Sequence, residues 1–170
     1  MAPDVPITRQ EAMTVVARAL ELDYDAYAKT DLSGFSDRSE ISNWALPYVR
    51  AMVGADYIHG RGKVLAPQDN ITRAEFAQIF ANIIKSYIAV KGEYAKDHDG
   101  NLLVRCADVT LKDMTIKGDL IIGCGAADGK VTLDNVTVTG RLLVWGGGTK
   151  AVYCNNGTQM PEVVVARVDD

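Results

Sequence analysis

An α+β chain in two parts is predicted: a helical module over residues 1–90, then a short right-handed parallel β-helix of about three coils over residues 91–170. Three observations predict it. The pentapeptide Ile7-Thr8-Arg9-Gln10-Glu11 recurs as Ile71-Thr72-Arg73-Ala74-Glu75, each time ahead of apolar residues at three- and four-residue steps. Beyond residue 90 the chain turns β-branched, with frequent Gly and Asn/Asp turn residues. There the stretch Val109 to Ile122 recurs 22 residues later as Val131 to Val144. A unit that short cannot bury its own apolar face, but stacking equivalent strands of successive units builds a continuous core.

Each helix follows from its pattern. The first motif opens a helix whose apolar positions are Ala12, Val15, Val16, Ala19 and Leu20. The second opens one with Phe76, Ile79, Phe80, Ile83, Ile84 and Tyr87 on one face. A third helix, about Asn43 to Tyr57, lies between them, with Trp44, Val49, Met52, Val53 and Tyr57 as its apolar stripe. Pro47 suits its first turn, where a missing N–H leaves nothing unsatisfied.

In the second part, Val109, Leu111, Ile116, Leu120 and Ile122 and their equivalents are the expected inward positions. A looser third copy sets Val152, Cys154, Val163 and Val165 against Val131, Leu133, Leu142 and Val144. The linker near Lys91–Tyr94 and a turn at Asp97–Gly100 are expected to lead into the first coil. Asp97-x-Asp99-Gly100-Asn101 lacks the later glutamate of a calcium loop and is read as a tight turn.

Composition narrows the function classes. The chain has 170 residues, 48% of them apolar, which is ordinary globular composition. A net charge of -4 argues against a general nucleic-acid or anionic-membrane surface. No apolar run approaches the roughly 20 residues that span a bilayer, so no membrane insertion is expected. Residues 1–4 lack the basic and apolar regions of a secretory signal. Cys106, Cys124 and Cys154 show no CxxC spacing and lie far in sequence from His59 and His98, which argues against zinc. They are read as small buried apolar residues rather than a disulfide or reactive thiol. No metal and no cofactor is called for.

The repeated motif holds the chemistry. Thr8 with Glu11, and Thr72 with Glu75, form capping boxes, which explains Thr and Glu without a ligand. Arg9 and Arg73 are not explained that way, because a cation in the first turn opposes the helix dipole. Two readings stay open. In one, each arginine and the free amides beside it hold a carboxylate or phosphate. In the other, the arginines pair with local acids such as Asp4 or Asp69.

The stretch from Gly34 to Ile84 resembles an S-layer homology motif. The resemblance rests on Phe35-Ser36-Asp37, Trp44-Ala45 and Ala55-Asp56-Tyr57-Ile58-His59-Gly60, then Pro67 and Ile71-Thr72-Arg73-Ala74-Glu75-Phe76, in family order and spacing. The full motif is assigned to residues 34–88, and residues 7–22 look like the second half of a preceding one. The resemblance implies a secreted, non-catalytic attachment module at a Gram-positive cell surface. Such modules bind anionic secondary cell-wall polysaccharides, often through pyruvylated amino sugars. It implies ligand contacts at Arg73 and Arg9, with Thr72 and Thr8 nearby. Trp44 belongs to the same pattern, either as a core residue, the favoured reading, or as a sugar platform. Gly60 and Gly62 allow close backbone approach or simply form a turn.

This sequence departs from the family in three ways. It holds one full motif and half of another where the family has three. Leu65 stands where the Gly-rich turn usually carries an aromatic, and His59 and Arg61-Gly62-Lys63 replace small and acidic turn residues. The alternatives are a polysaccharide-processing β-helix enzyme, with Asp113, Asp119 and Asp134 as candidate acids, and a self-associating surface-layer protein. Asp113 and Asp134 fall at turns between strands, where Asp stabilises the turn without any chemistry.

Overall fold

A computed structural model describes residues 5–126, 129–146 and 151–166. Residues 1–4 lie outside them, and with them Asp4, an expected partner for the arginines. The chain forms two compact units that meet in sequence between Ile83 and Ile84.

The first unit holds three helices: α1 (Arg9–Ala19), α2 (Leu46–Gly54) and α3 (Arg73–Ile83). α1 packs on α2 and buries Ala12, Met13, Val16, Ala17 and Leu20. The stripe Ala12–Val16–Leu20 is as expected. Its flank is Met13 and Ala17, however, while Val15 is 58% exposed and Ala19 also faces solvent. α2 is shorter than its apolar pattern suggests. It begins after Ala45, has Pro47 in its first turn, and buries Val49, Ala51 and Met52. Trp44 thus precedes the helix and is 52% exposed, so the core reading of this residue is corrected.

The tripeptide Phe35-Ser36-Asp37 clamps the loop from Gly60 to Ala66. A Cβ at Gly60 would lie 2.8 Å from the Phe35 ring and 2.8 Å from the Val64 carbonyl oxygen. The Ser36 amide donates to the Lys63 carbonyl (2.9 Å). The Asp37 carboxylate accepts from the amides of Leu65 (2.9 Å) and Ala66 (2.6 Å). Asp37 thereby satisfies two donors on residues that are themselves buried.

α3 buries Ile79 and Ile83 but leaves Phe76 and Phe80 exposed, packed edge to face at 5.2 Å. The helix stops at Ile83. Ile84 and Tyr87, expected on its apolar face, lie instead on a strand, where Tyr87 is 66% exposed. The reason is pairing: from Ile84 onward the backbone bonds to a parallel neighbour, which overrides the helical spacing of the side chains.

The second unit is a parallel β-solenoid of about four turns. Its strands are β1 (Ile84–Ile88), β2 (Gly92–Tyr94), β3 (His98–Asp99), β4 (Asn101–Val104), β5 (Val109–Lys117), β6 (Leu120–Ile122), β7 (Val131–Val138), β8 (Arg141–Val144), β9 (Val152–Asn155) and β10 (Glu162–Val165). One sheet runs β1-β4-β6-β8-β10, the other β2-β5-β7-β9, with β3 also on β5. β1 to β3 supply a turn ahead of the sequence repeat. It escapes the 22-residue period because the early turns are shorter. Ile84 pairs with Asn101 and Leu102 with Leu120, against Leu120 with Leu142.

The inward positions are as expected: Leu111, Ile116, Leu120, Ile122, Val131 and Leu133 are all 0% exposed. Alternation breaks once per coil, at Asp113 (φ 48°) and Asn135 (φ 55°). This left-handed kink turns Met114 and Val136 inward as well. Asp and Asn tolerate such backbone better than other residues with a Cβ. They also bond between coils: Asn135 Nδ2 donates to Asp113 Oδ1 (2.7 Å), and Asn156 Nδ2 to Asp134. At the other corner Asp119 accepts from the backbone and side chain of Arg141 (2.7 and 2.8 Å), and its amide donates to Asn101 Oδ1 (2.8 Å).

β9 and β10 keep the expected register, Leu133 on Cys154 and Leu142 on Val163, yet Val163 and Val165 are 53% and 63% exposed. The cysteine reading needs correcting. Cys106 is half-buried, while Cys124 and Cys154 are exposed, and all three are free thiols. Cys124 sits in a 3-10 turn outside the strands, and Cys154 lies on the last full coil, so neither reaches the core.

Candidate functional site

The two Thr-Arg-x-Glu motifs start α1 and α3, and both fold as capping boxes. Glu11 Oε2 accepts from the Thr8 amide (2.6 Å) and hydroxyl (2.8 Å). Glu75 Oε2 accepts from the Thr72 amide and hydroxyl (3.0 Å each). Both threonine hydroxyls also accept from the amide three residues on.

The arginines differ. Arg9 is 5% exposed. Its Nε donates to the Leu65 carbonyl (2.8 Å), and its Nη1 pairs with Glu75 Oε1 (2.9 Å). Burial pulls its pKa below the usual range, and Glu75 opposes that pull. Arg9 is therefore committed to internal partners. The acid-pairing reading describes it, although the acid it contacts among the described residues is the glutamate of the other motif, while Asp69 pairs with Arg61. Arg61, on the Gly60–Gly62 turn, donates through Nε to the same Glu75 Oε1 (2.7 Å) and through Nη1 to Asp69 (2.8 Å). The Arg61 hydrogen bond is the largest cause holding Glu75 down at about pKa 2, with further help from Thr72 and the Arg9 charge.

The helix ends differ in the same sense. At α1 the first amides are taken by chain: Arg9 N donates to the Asp69 carbonyl (2.8 Å) and Gln10 N to the Pro67 carbonyl (3.0 Å). At α3 the amides of Arg73 and Ala74 have no acceptor among the described residues. Arg73 is exposed and makes no side-chain hydrogen bond or ion pair among them. It lines a surface cleft of about 410 Å³ with Thr72, Ile7, Ile71, Phe76 and Ala77. An exposed guanidinium, two free amides and an apolar wall can receive an anionic group on a larger ligand.

Gly60 (φ 72°) and Gly62 (φ 65°) both occupy left-handed backbone, and the Arg61 amide closes the turn on the Val64 carbonyl (2.7 Å). The turn alone thus accounts for both glycines. Trp44 offers an exposed ring. Arg61 and Asp37 did not stand out as site residues in the sequence. The signal for Arg61 was its place inside a Gly-x-Gly turn, since a fixed turn aims its side chain. Asp113, Asp119 and Asp134, the candidate acids, are all engaged in bonds between coils. Among the described residues no three His, Cys, Asp or Glu side chains gather into a metal site.

The stretch with the clamped Gly turn, α2 and the start of α3 is an S-layer homology domain, matched over residues 34–77. The chain is also similar to the surface-layer 125 kDa protein of Lysinibacillus sphaericus, 36% identical over 89 residues. That match covers 50% of this chain but only 7% of the relative's length. No solved structure gives a significant match.

Proposed function

We propose that this chain is a non-catalytic anchoring module of the bacterial cell surface, holding an anionic, pyruvylated secondary cell-wall polysaccharide at the start of α3. The observation that supports this most is the exposed Arg73 beside two amides without an acceptor among the described residues and the cleft of Ile7, Ile71 and Phe76; Arg73, Ile71 and Phe76 lie inside the S-layer homology match. Arg73 supplies the charge-assisted fork, Thr72 the adjoining wall, and Trp44 an exposed ring for stacking a sugar. Arg9 supports the site from within by fixing Glu75.

Isothermal titration of the full chain with purified wall polysaccharide tests this reading. Binding that drops at least tenfold in Arg73→Ala, and after mild-acid removal of the pyruvate ketals, is the expected result. Undiminished binding by Arg73→Ala sinks the site.

A second reading has its own support. The relative is a surface-layer protein, and β10 exposes Val163 and Val165 along a strand. Self-association through that strand would appear as concentration-dependent sedimentation, abolished by Val163→Lys.

A further inference from the structure

A second cleft in the helical unit has a composition unlike the rest of the chain. It lies between the loop after α1 and the side of α2, has a volume of about 430 Å³, and is lined by Lys29, Asp31, Ser33, Arg38, Leu46 and Arg50 among others. That volume falls in the range of small-molecule sites, roughly 300–1,000 Å³. Three of its side chains are cationic and one is acidic, on a chain whose net charge is -4.

The single acid does not neutralise the cations by contact. Asp31 accepts the Ser33 amide on Oδ1 (2.8 Å) and the Ser33 hydroxyl on Oδ2 (2.7 Å). These bonds are the main reason its pKa is lowered, and Arg38 adds only a minor electrostatic pull. Lys29, Arg38 and Arg50 form no side-chain hydrogen bond or ion pair among the described residues. Arg50 Nε is the one buried side-chain nitrogen or oxygen among them with no hydrogen-bond partner. Native proteins rarely leave such a donor unmatched, least of all on a charged group. α2 fixes Arg50, and the short 3-10 turn Arg38–Glu40 fixes the backbone of Arg38, so two guanidinium groups line one recess from separate elements.

We propose that this cleft is an anion site taking a carboxylate or phosphate group on Arg50, Arg38 and Lys29. The site is separate from the start of α3 and does not depend on Arg73. It would let the module grip an anionic polymer at a second point, or hold a free anion.

The test follows the Arg50 Nε–Hε cross-peak of the ¹⁵N-labelled full chain by NMR. The probes are inorganic phosphate and pyruvate in separate titrations, with chloride at matched ionic strength. The expected result is a saturable shift with at least one probe, weakened about tenfold or more by Arg38→Gln and unchanged by Arg73→Ala. Which probe saturates first names the group. A shift that chloride reproduces, or one indifferent to Arg38→Gln, overturns the proposal. Loss of polysaccharide binding in Arg73→Ala leaves this result untouched, so the two sites fail or stand separately.

Discussion

The starts of α1 and α3 share Ile-Thr-Arg-x-Glu and share a capping box, yet the structure uses them in opposite ways. At α1 the helix end is closed by the carbonyls of Pro67 and Asp69, and Arg9 is buried against Leu65 and Glu75. At α3 the corresponding amides have no acceptor among the described residues, and Arg73 is exposed. The motif therefore specifies a helix start, and what lies over that start decides the fate of the arginine. One copy supplies structure to the other: Arg9 of the first motif locks Glu75 of the second.

The sharpest way to break this asymmetry is to remove the shared carboxylate. Glu75→Ala strands the buried Arg9 charge and should cost about 3 kcal/mol. Glu11→Ala loses only an exposed capping contact and should cost about 1 kcal/mol or less. The chain has two tryptophans, Trp44 in the helical unit and Trp145 in the solenoid. Urea unfolding followed by fluorescence in a Trp145→Phe background therefore reads the helical unit alone. Equal losses from the two glutamates would remove the asymmetry.

Acid probes the same carboxylate without mutation. Glu75 titrates near pH 2 in the folded chain, against about 4.5 when unfolded. A depressed pKa contributes stability that is complete above the unfolded value and is lost as pH falls through the folded one. Stability of the helical unit should thus decline between about pH 4.5 and 2, by on the order of 2 kcal/mol given a side chain that is partly solvated. Glu75→Gln should flatten that decline, and Glu11→Gln should leave most of it.

Arg9→Met should cost about 1–2 kcal/mol, because apolar volume is kept while the Leu65 carbonyl loses its donor. Arg61 still holds Glu75 in that variant, which limits the loss. Thermal unfolding of the same background measures it.

Much of the molecule was legible in the sequence because its signals are local or periodic. The capping boxes need only four residues, and the stacked coils repeat Val109–Ile122 in Val131–Val144 with the register the alignment implies. Nonlocal facts were hidden. No local pattern reveals that Arg9 pairs with a glutamate 66 residues away, or that loop 67–69 covers one helix start and not the other. The first solenoid turn was missed for a related reason: its shorter loops break the 22-residue period, and the helical spacing of Ile83, Ile84 and Tyr87 imitates a longer α3. Trp44 continues the apolar spacing of α2 into residues that precede the helix, so spacing alone places it on the helical face.

The smallest expected effect on stability is also the most informative. Arg73 has no internal partner among the described residues, and a cation there opposes the helix dipole, so Arg73→Ala should change unfolding by no more than about 0.5 kcal/mol, with either sign. The same substitution is expected to weaken polysaccharide binding at least tenfold. A residue that contributes nothing to folding and much to binding is a ligand contact. Arg9→Met should show the reverse, a stability loss with binding reduced only as far as Glu75 loosens. If Arg73→Ala instead destabilised the unit as much as Arg9→Met, both arginines would be structural and the two helix starts would be equivalent after all.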